Sequence, residues 1–86
     1  MRIEVTDSDI AQGLRHECHQ CPIAYALRRA SGVYDVMAGA KHIRIGDRGY
    51  ATPAAAESFI RHFDQGHTVL PFEFTLGEPY PVITGR

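Results

Sequence analysis

The chain has 86 residues, 44% hydrophobic and 22% charged, with a net charge of −1 and a pI near 6.5. That length buries one modest core, so one domain is expected, and the composition excludes a disordered chain. The charge balance argues against a general nucleic-acid binder, which carries a basic excess, although it leaves room for a local basic face.

The first element is a strand: Ile3 and Val5 alternate with Arg2 and Glu4. Thr6-Asp7-Ser8-Asp9 then reads as a helix start, with Thr6 as cap and Asp9 in the capping-box position. Ile10 and Leu14 are the apolar positions of this short helix, and Gly13 breaks it. Residues 15–20 are polar and predict a loop. A second helix begins at Cys21-Pro22, because proline at the first helical position forfeits only an N–H that would be unpaired anyway. Ile23, Ala26, Leu27 and Ala30 form its apolar stripe. Arg28 and Arg29 suit its C-terminal end, and Ser31-Gly32 ends it.

Short strands follow. Val33–Met37 and His42–Ile45 are rich in β-formers, joined by residues 38–41, and Gly46-Asp47-Arg48-Gly49 predicts a hairpin turn before a brief strand at Tyr50. A third helix is expected with Thr52 as cap, Pro53 at its first position, a buried stripe of Ala56, Phe59, Ile60 and Phe63, and Gly66 as a left-handed terminator. Leu70, Phe72, Phe74 and Leu76 alternate with polar residues or proline, which predicts a strand over 70–76, with Pro71 marking an edge. Residues 77–86 contain two prolines and two glycines and read as a loose arm or a strap over a neighbour. The expected organisation is a single α+β domain over 1–76, with a mainly antiparallel sheet packed on two or three helices, and a tail over 77–86.

No apolar run approaches the ~18 residues that span a membrane. The opening residues carry charge where a secretory signal needs an apolar stretch. A cytoplasmic protein is expected, with both cysteines free or metal-bound.

The chemically dense stretch is His16-Glu17-Cys18-His19-Gln20-Cys21. Zinc takes four ligands in a tetrahedron; Cys18 and Cys21 supply a C-x₂-C pair and His16 a third donor. His62 and His67 are distant candidates that helical geometry, at a spacing of five, places on different faces. A dithiol reading would use Cys21 at the helix start with Cys18 as resolving partner. The plain alternative makes Cys21 a small buried residue and Cys18 an ordinary loop residue, with no cofactor. No protease signature or phosphate loop is present, so a non-enzymatic role is expected. Arg28, Arg29, Lys41, Arg44 and Arg48 form a basic patch if the second helix lies on the meander, with Tyr34 and Tyr50 as stacking surfaces. Arg28, Arg29, Arg44 and Tyr34 are the candidate ligand- or partner-binding residues of that patch. Asp35 and Asp47 lie in the same region and favour a solvated mixed-charge face.

Three segments together resemble small uncharacterised proteins of actinobacteriophages and prophages. They are Cys21-Pro22-Ile23-Ala24-Tyr25-Ala26-Leu27, Phe59-Ile60-Arg61-His62-Phe63-Asp64-Gln65-Gly66 and Val69-Leu70-Pro71-Phe72-Glu73-Phe74-Thr75-Leu76. With the opening strand, the resemblance covers most of the chain up to Leu76, and it rests on Cys21-Pro22 more than on Cys18 or the histidines. It implies a small accessory protein that binds a host or phage protein, modulating host defence or physiology, as a homo-oligomer such as a dimer. Two alternatives stand beside it: an oligomer that binds a nucleotide, another small ligand or nucleic acid, and a zinc-stabilised interaction module.

Overall fold

The alternation at the start of the chain forms β1 (Arg2–Val5) in the computed structural model, which describes residues 1–81. Ile3 and Val5 face the core, and Arg2 and Glu4 face solvent. The capping box then forms as the residue types dictate. The Thr6 hydroxyl accepts from the Asp9 N–H at 3.2 Å, and the Asp9 carboxylate accepts from the Thr6 N–H at 2.9 Å. This starts α1 (Asp7–Gln12). Gly13 ends α1 in an extended conformation, pressed against the Pro22 ring, where a Cβ would collide. Leu14, expected inside the helix, lies beyond it and is exposed.

Pro22 opens α2 (Pro22–Ser31), and Gly32 closes it with a positive φ of 73°. Pro22, Ile23, Ala24, Ala26 and Leu27 are buried. Ala30, expected in the stripe, is exposed, and Ala24 is buried in its place. The reason is packing on two sides: α2 touches both β1 and β2 (Val36–Ala38), and its buried residues wrap around its first half.

Strand β2 starts later than Val33. Val33 and Tyr34 are exposed, because backbone groups here are claimed elsewhere. The Tyr34 carbonyl accepts from Arg28 Nε, and the Val33 N–H donates to the Ser31 hydroxyl. β3 (His42–Ile45) and β4 (Arg48–Ala51) form the hairpin. Gly46 has a φ of 60° and Asp47 a negative φ, the pattern of a tight type II′ turn. α3 (Ala54–Asp64) begins one residue later than expected, with Pro53 as cap, because the Thr52 hydroxyl donates to the Gly39 carbonyl instead of capping. Its exit is a Schellman motif: the Gly66 N–H reaches the Phe63 carbonyl and the His67 N–H reaches the His62 carbonyl, with Gly66 at φ 83°.

β5 (Phe72–Thr75) pairs antiparallel with β1, with Ile3 opposite Phe74 and Val5 opposite Phe72. It is shorter than the strand expected over 70–76. Leu70 is 76% exposed because β1 gives way to α1 at Thr6, which leaves residues 70–71 nothing to pair with. β6 (Tyr80–Pro81) pairs with β4, so the strap crosses a strand of its own chain. Residues 82–86 of the expected tail lie outside the described residues. Among the described residues the result is an α+β domain of two antiparallel sheets, β1-β5 and β2-β3-β4-β6, around one core.

Asp9 is 4% exposed and is the one charged residue buried among the described residues. Arg29 grips it with both forks, Nη1 to Oδ1 at 2.9 Å and Nη2 to Oδ2 at 2.7 Å, and Nη2 also donates to the Glu4 carbonyl. Burial pushes the Asp9 carboxyl up, but the Arg29 fork and the Thr6 groups outweigh it and hold it below its ordinary value. Its contribution to stability is therefore complete above about pH 4 and is lost as pH falls through the lowered value. Arg29 is half-exposed, so water weakens the pair relative to a fully buried one. Asp9→Ala should lower stability to urea by about 2 kcal/mol at pH 7, combining the lost acceptor for the Thr6 N–H and a lost partly buried pair, while the Thr6 hydroxyl keeps its backbone donor at residue 9. The gap from wild type should close below about pH 4, and a gap of constant size down to about pH 2 would refute this account.

Candidate functional site

The loop before α2 is built by backbone geometry. His16 sits at φ 63°, a left-handed conformation, and its N–H donates to the Asp64 carboxylate at 2.9 Å. This ties the loop to the last turn of α3. The Leu14 N–H reaches the Gln20 carbonyl, which closes the loop on itself. His16, Glu17, Cys18, Cys21 and Asp64 then line one cleft of about 280 Å³, floored by Ala38, Gly39, Ala40 and Ile60. The structure thus brings the expected donors His16, Cys18 and Cys21 to one place and adds Asp64, to which sequence spacing does not point. Among the described residues, no three His, Cys, Asp or Glu side chains stand close enough together to hold one ion.

The two cysteines differ sharply. Cys18 is exposed and Cys21 is buried at the α2 cap. Burial pushes the Cys21 thiol up, the N–H groups of Ala24 and Ile23 pull the other way, and Asp64 and Cys18 add to the rise. The helix start therefore does not activate this thiol. The loop also has a structural task. The Cys18 carbonyl accepts from the Ala38 N–H at 2.9 Å, and His19 Nδ1 donates to the Val36 carbonyl at 2.9 Å. These bonds cover the outer edge of β2.

The expected partner-binding residues divide into two places. Arg29 turns to Asp9 and Glu4, as described above. Arg28, Tyr34 and Arg44 meet at a corner where α2, the 33–35 loop and β3 converge. The Arg28 guanidinium donates to the Tyr34 carbonyl at 2.8 Å and to the His19 carbonyl at 2.6 Å. Its carbon lies 4.7 Å from the Tyr34 ring centre and 5.7 Å from that of Tyr25. Arg44 forms a fork with Asp35 at 3.2 Å on both arms and donates to the Gly46 carbonyl at 2.8 Å. That hydrogen bonding, together with the Arg44 charge, holds the Asp35 carboxyl below its ordinary value. Lys41, expected in the same patch, instead pairs with Glu57 on α3. Tyr50 is buried in the core and offers no stacking surface.

Two further arrangements escaped the sequence. Tyr80 lies across Gly49, where a Cβ would collide with its ring, and its hydroxyl meets His42 Nδ1 at 2.8 Å. A glycine inside a strand often marks such a close approach. The ring borders a shallow groove of about 350 Å³ shared with Met37, Arg44 and Pro81. His62 and His67, expected on different faces, stack with ring centres 5.6 Å apart. The Schellman turn places His67 outside the helix and folds it back beside His62, so helical spacing does not govern the pair. No family model, curated protein or solved structure matches the chain.

Iodoacetamide at about pH 8 should label Cys18 within minutes in the native protein and label Cys21 only in denaturant. Peptide mass mapping reads the two sites separately. Equal native labelling would contradict the buried, unactivated state of Cys21.

Proposed function

We propose that the chain is a non-enzymatic phage or prophage accessory protein that binds a host or phage protein through the Tyr34–Arg28 corner. It would act in the cytoplasm of a bacterial host, modulating defence or physiology. The observation that carries the reading is Tyr34 itself, 82% exposed with its ring stacked on a guanidinium that is fixed to two backbone carbonyls. Rigid tyrosine and arginine surfaces dominate the energetics of protein interfaces, because they bury large area at low entropic cost. Val33, the preceding residue, is also exposed and adds apolar surface to the loop, and Asp35 and Arg44 supply a polar rim.

The anion-binding alternative draws less support from the same residues. Arg28, Arg29 and Arg44 already donate to protein oxygens, so a phosphate has to displace Asp9, Asp35 or backbone carbonyls. No observation favours a small ligand over a protein surface at this corner.

A photo-crosslinking phenylalanine analogue at position 34, in protein expressed in an actinobacterial host, tests the reading. A discrete protein adduct at 34, absent with the analogue at Glu78, is expected. Against the partner so identified, Tyr34→Ala should bind at least about tenfold more weakly. Its own stability should change by less than about 1 kcal/mol, since only an exposed ring and its cation–π contact are lost. Crosslinks to nucleic acid alone, or none, would overturn the proposal.

A further inference from the structure

Sheets have edges, and an edge strand presents unpaired N–H and C=O groups to any chain that can reach them. Three of the four edges here are blunted. β2 is covered by Cys18 and His19, and β6 is two residues long and ends in Pro81, which has no N–H. On β1, Arg29 occupies the Glu4 carbonyl. β5 differs: among the described residues no strand lies on its other side.

The ladder fixes which groups that edge offers. Met1 and Leu76 exchange backbone hydrogen bonds, so Ile3–Phe74 and Val5–Phe72 are the next bonded pairs of the antiparallel register. The N–H and C=O groups of Glu73 and Thr75 therefore point away from β1. Both side chains are exposed on the solvent face, while Phe74 and Leu76 are buried on the other.

We infer that this edge joins the same edge of a second copy, giving a two-fold dimer with the continuous sheet β1-β5-β5-β1. This surface is separate from the Tyr34 corner. The charges select one register. Centring the axis on Glu73 sets two carboxylates face to face and calls on Pro71 for an N–H it lacks. Centring it on Phe74 pairs Glu73 with Thr75 of the second copy, and each such pair exchanges both backbone hydrogen bonds. The cross-strand row then reads Arg2 and Thr75 of one copy, Glu73 and Glu4 of the other, where the Glu73-centred register lines up four glutamates; Arg2 also pairs with Glu73 of its own chain at 3.7 Å. On the buried face the row reads Ile3, Phe74, Phe74, Ile3, apolar throughout. An isologous contact of this kind closes on itself, so it ends at a dimer and leaves no β5 edge exposed. A two-stranded sheet is marginal on its own, and doubling it reaches the strand number at which sheets become independently stable.

A charge swap across the seam tests the register. Thr75→Glu sets glutamates opposite one another at both symmetry-related positions, while within its own chain the new carboxylate faces Arg2. The dimer of wild-type protein, measured by sedimentation and native mass spectrometry, should weaken at least about tenfold in Thr75→Glu. Adding Glu73→Lys should restore it, because each introduced ammonium then faces an introduced carboxylate of the second copy. Circular dichroism of each variant checks that the fold is intact. A wild type that stays monomeric at about 100 µM, a dimer indifferent to Thr75→Glu, or a double variant that fails to recover would each overturn the inference. None of these outcomes touches crosslinking at position 34, so the two proposals fail separately.

Discussion

The fold depends on one helix being buried on two sides. Among the described residues the two sheets share no hydrogen-bonded ladder. What joins them is the first half of α2, where Ile23, Ala24, Ala26 and Leu27 are all essentially inaccessible. Burying an Ile or Leu side chain contributes about 1.5–3 kcal/mol each, and here the same side chains serve both sheets. The small residues Ala24 and Ala26 let strands approach the helix closely. The N-terminus of α2 is correspondingly constrained: Pro22 fixes the backbone, Gly13 admits its ring, and Cys21 fills the space beneath.

Around that helix, polar side chains stitch loops to elements, and arginine does most of it. Arg28, Arg29 and Arg44 each donate to at least one backbone carbonyl, on His19 and Tyr34, on Glu4, and on Gly46 respectively. A guanidinium suits this role because it holds several donors in a fixed plane and stays charged throughout. The basic residues are therefore positioned rather than available, and their neighbour Tyr34 is the exposed side chain of the corner.

Much of the fold was legible because its signals are local. The alternation at Ile3 and Val5, the Thr6–Asp9 box, Pro22, the β3 strand, the Gly46 turn and the Gly66 terminator each act within a few residues. The misreadings arise where a distant group decides. Leu70 looks like a strand residue until β1 is seen to end at Val5, and Ala30 fits the helical stripe until α2 is seen to bury mainly its first half. Tyr34 has a β-former's composition, but Arg28 takes its carbonyl. At the candidate corner the residue types are legible and their arrangement is not. The sequence groups Arg28, Arg29, Arg44 and Tyr34, and Asp9 claims Arg29 out of that group. Asp64 sits far along the chain from His16, and no pattern in the sequence connects the two.

The pairing of β1 with β5 sets Arg2 against Thr75, across nearly the whole chain. Closing so long a loop is entropically slow, whereas the hairpin of β3 and β4 closes through Gly46 and Asp47 alone. On a ribosome, Ile3 and Val5 emerge long before Phe72 and Phe74 exist. In that interval their apolar side chains have α2 as a surface to rest on but no strand beside them. β1 is thus paired only after the residues up to Phe72 have been made, and that ladder stays unformed while everything between them is synthesised.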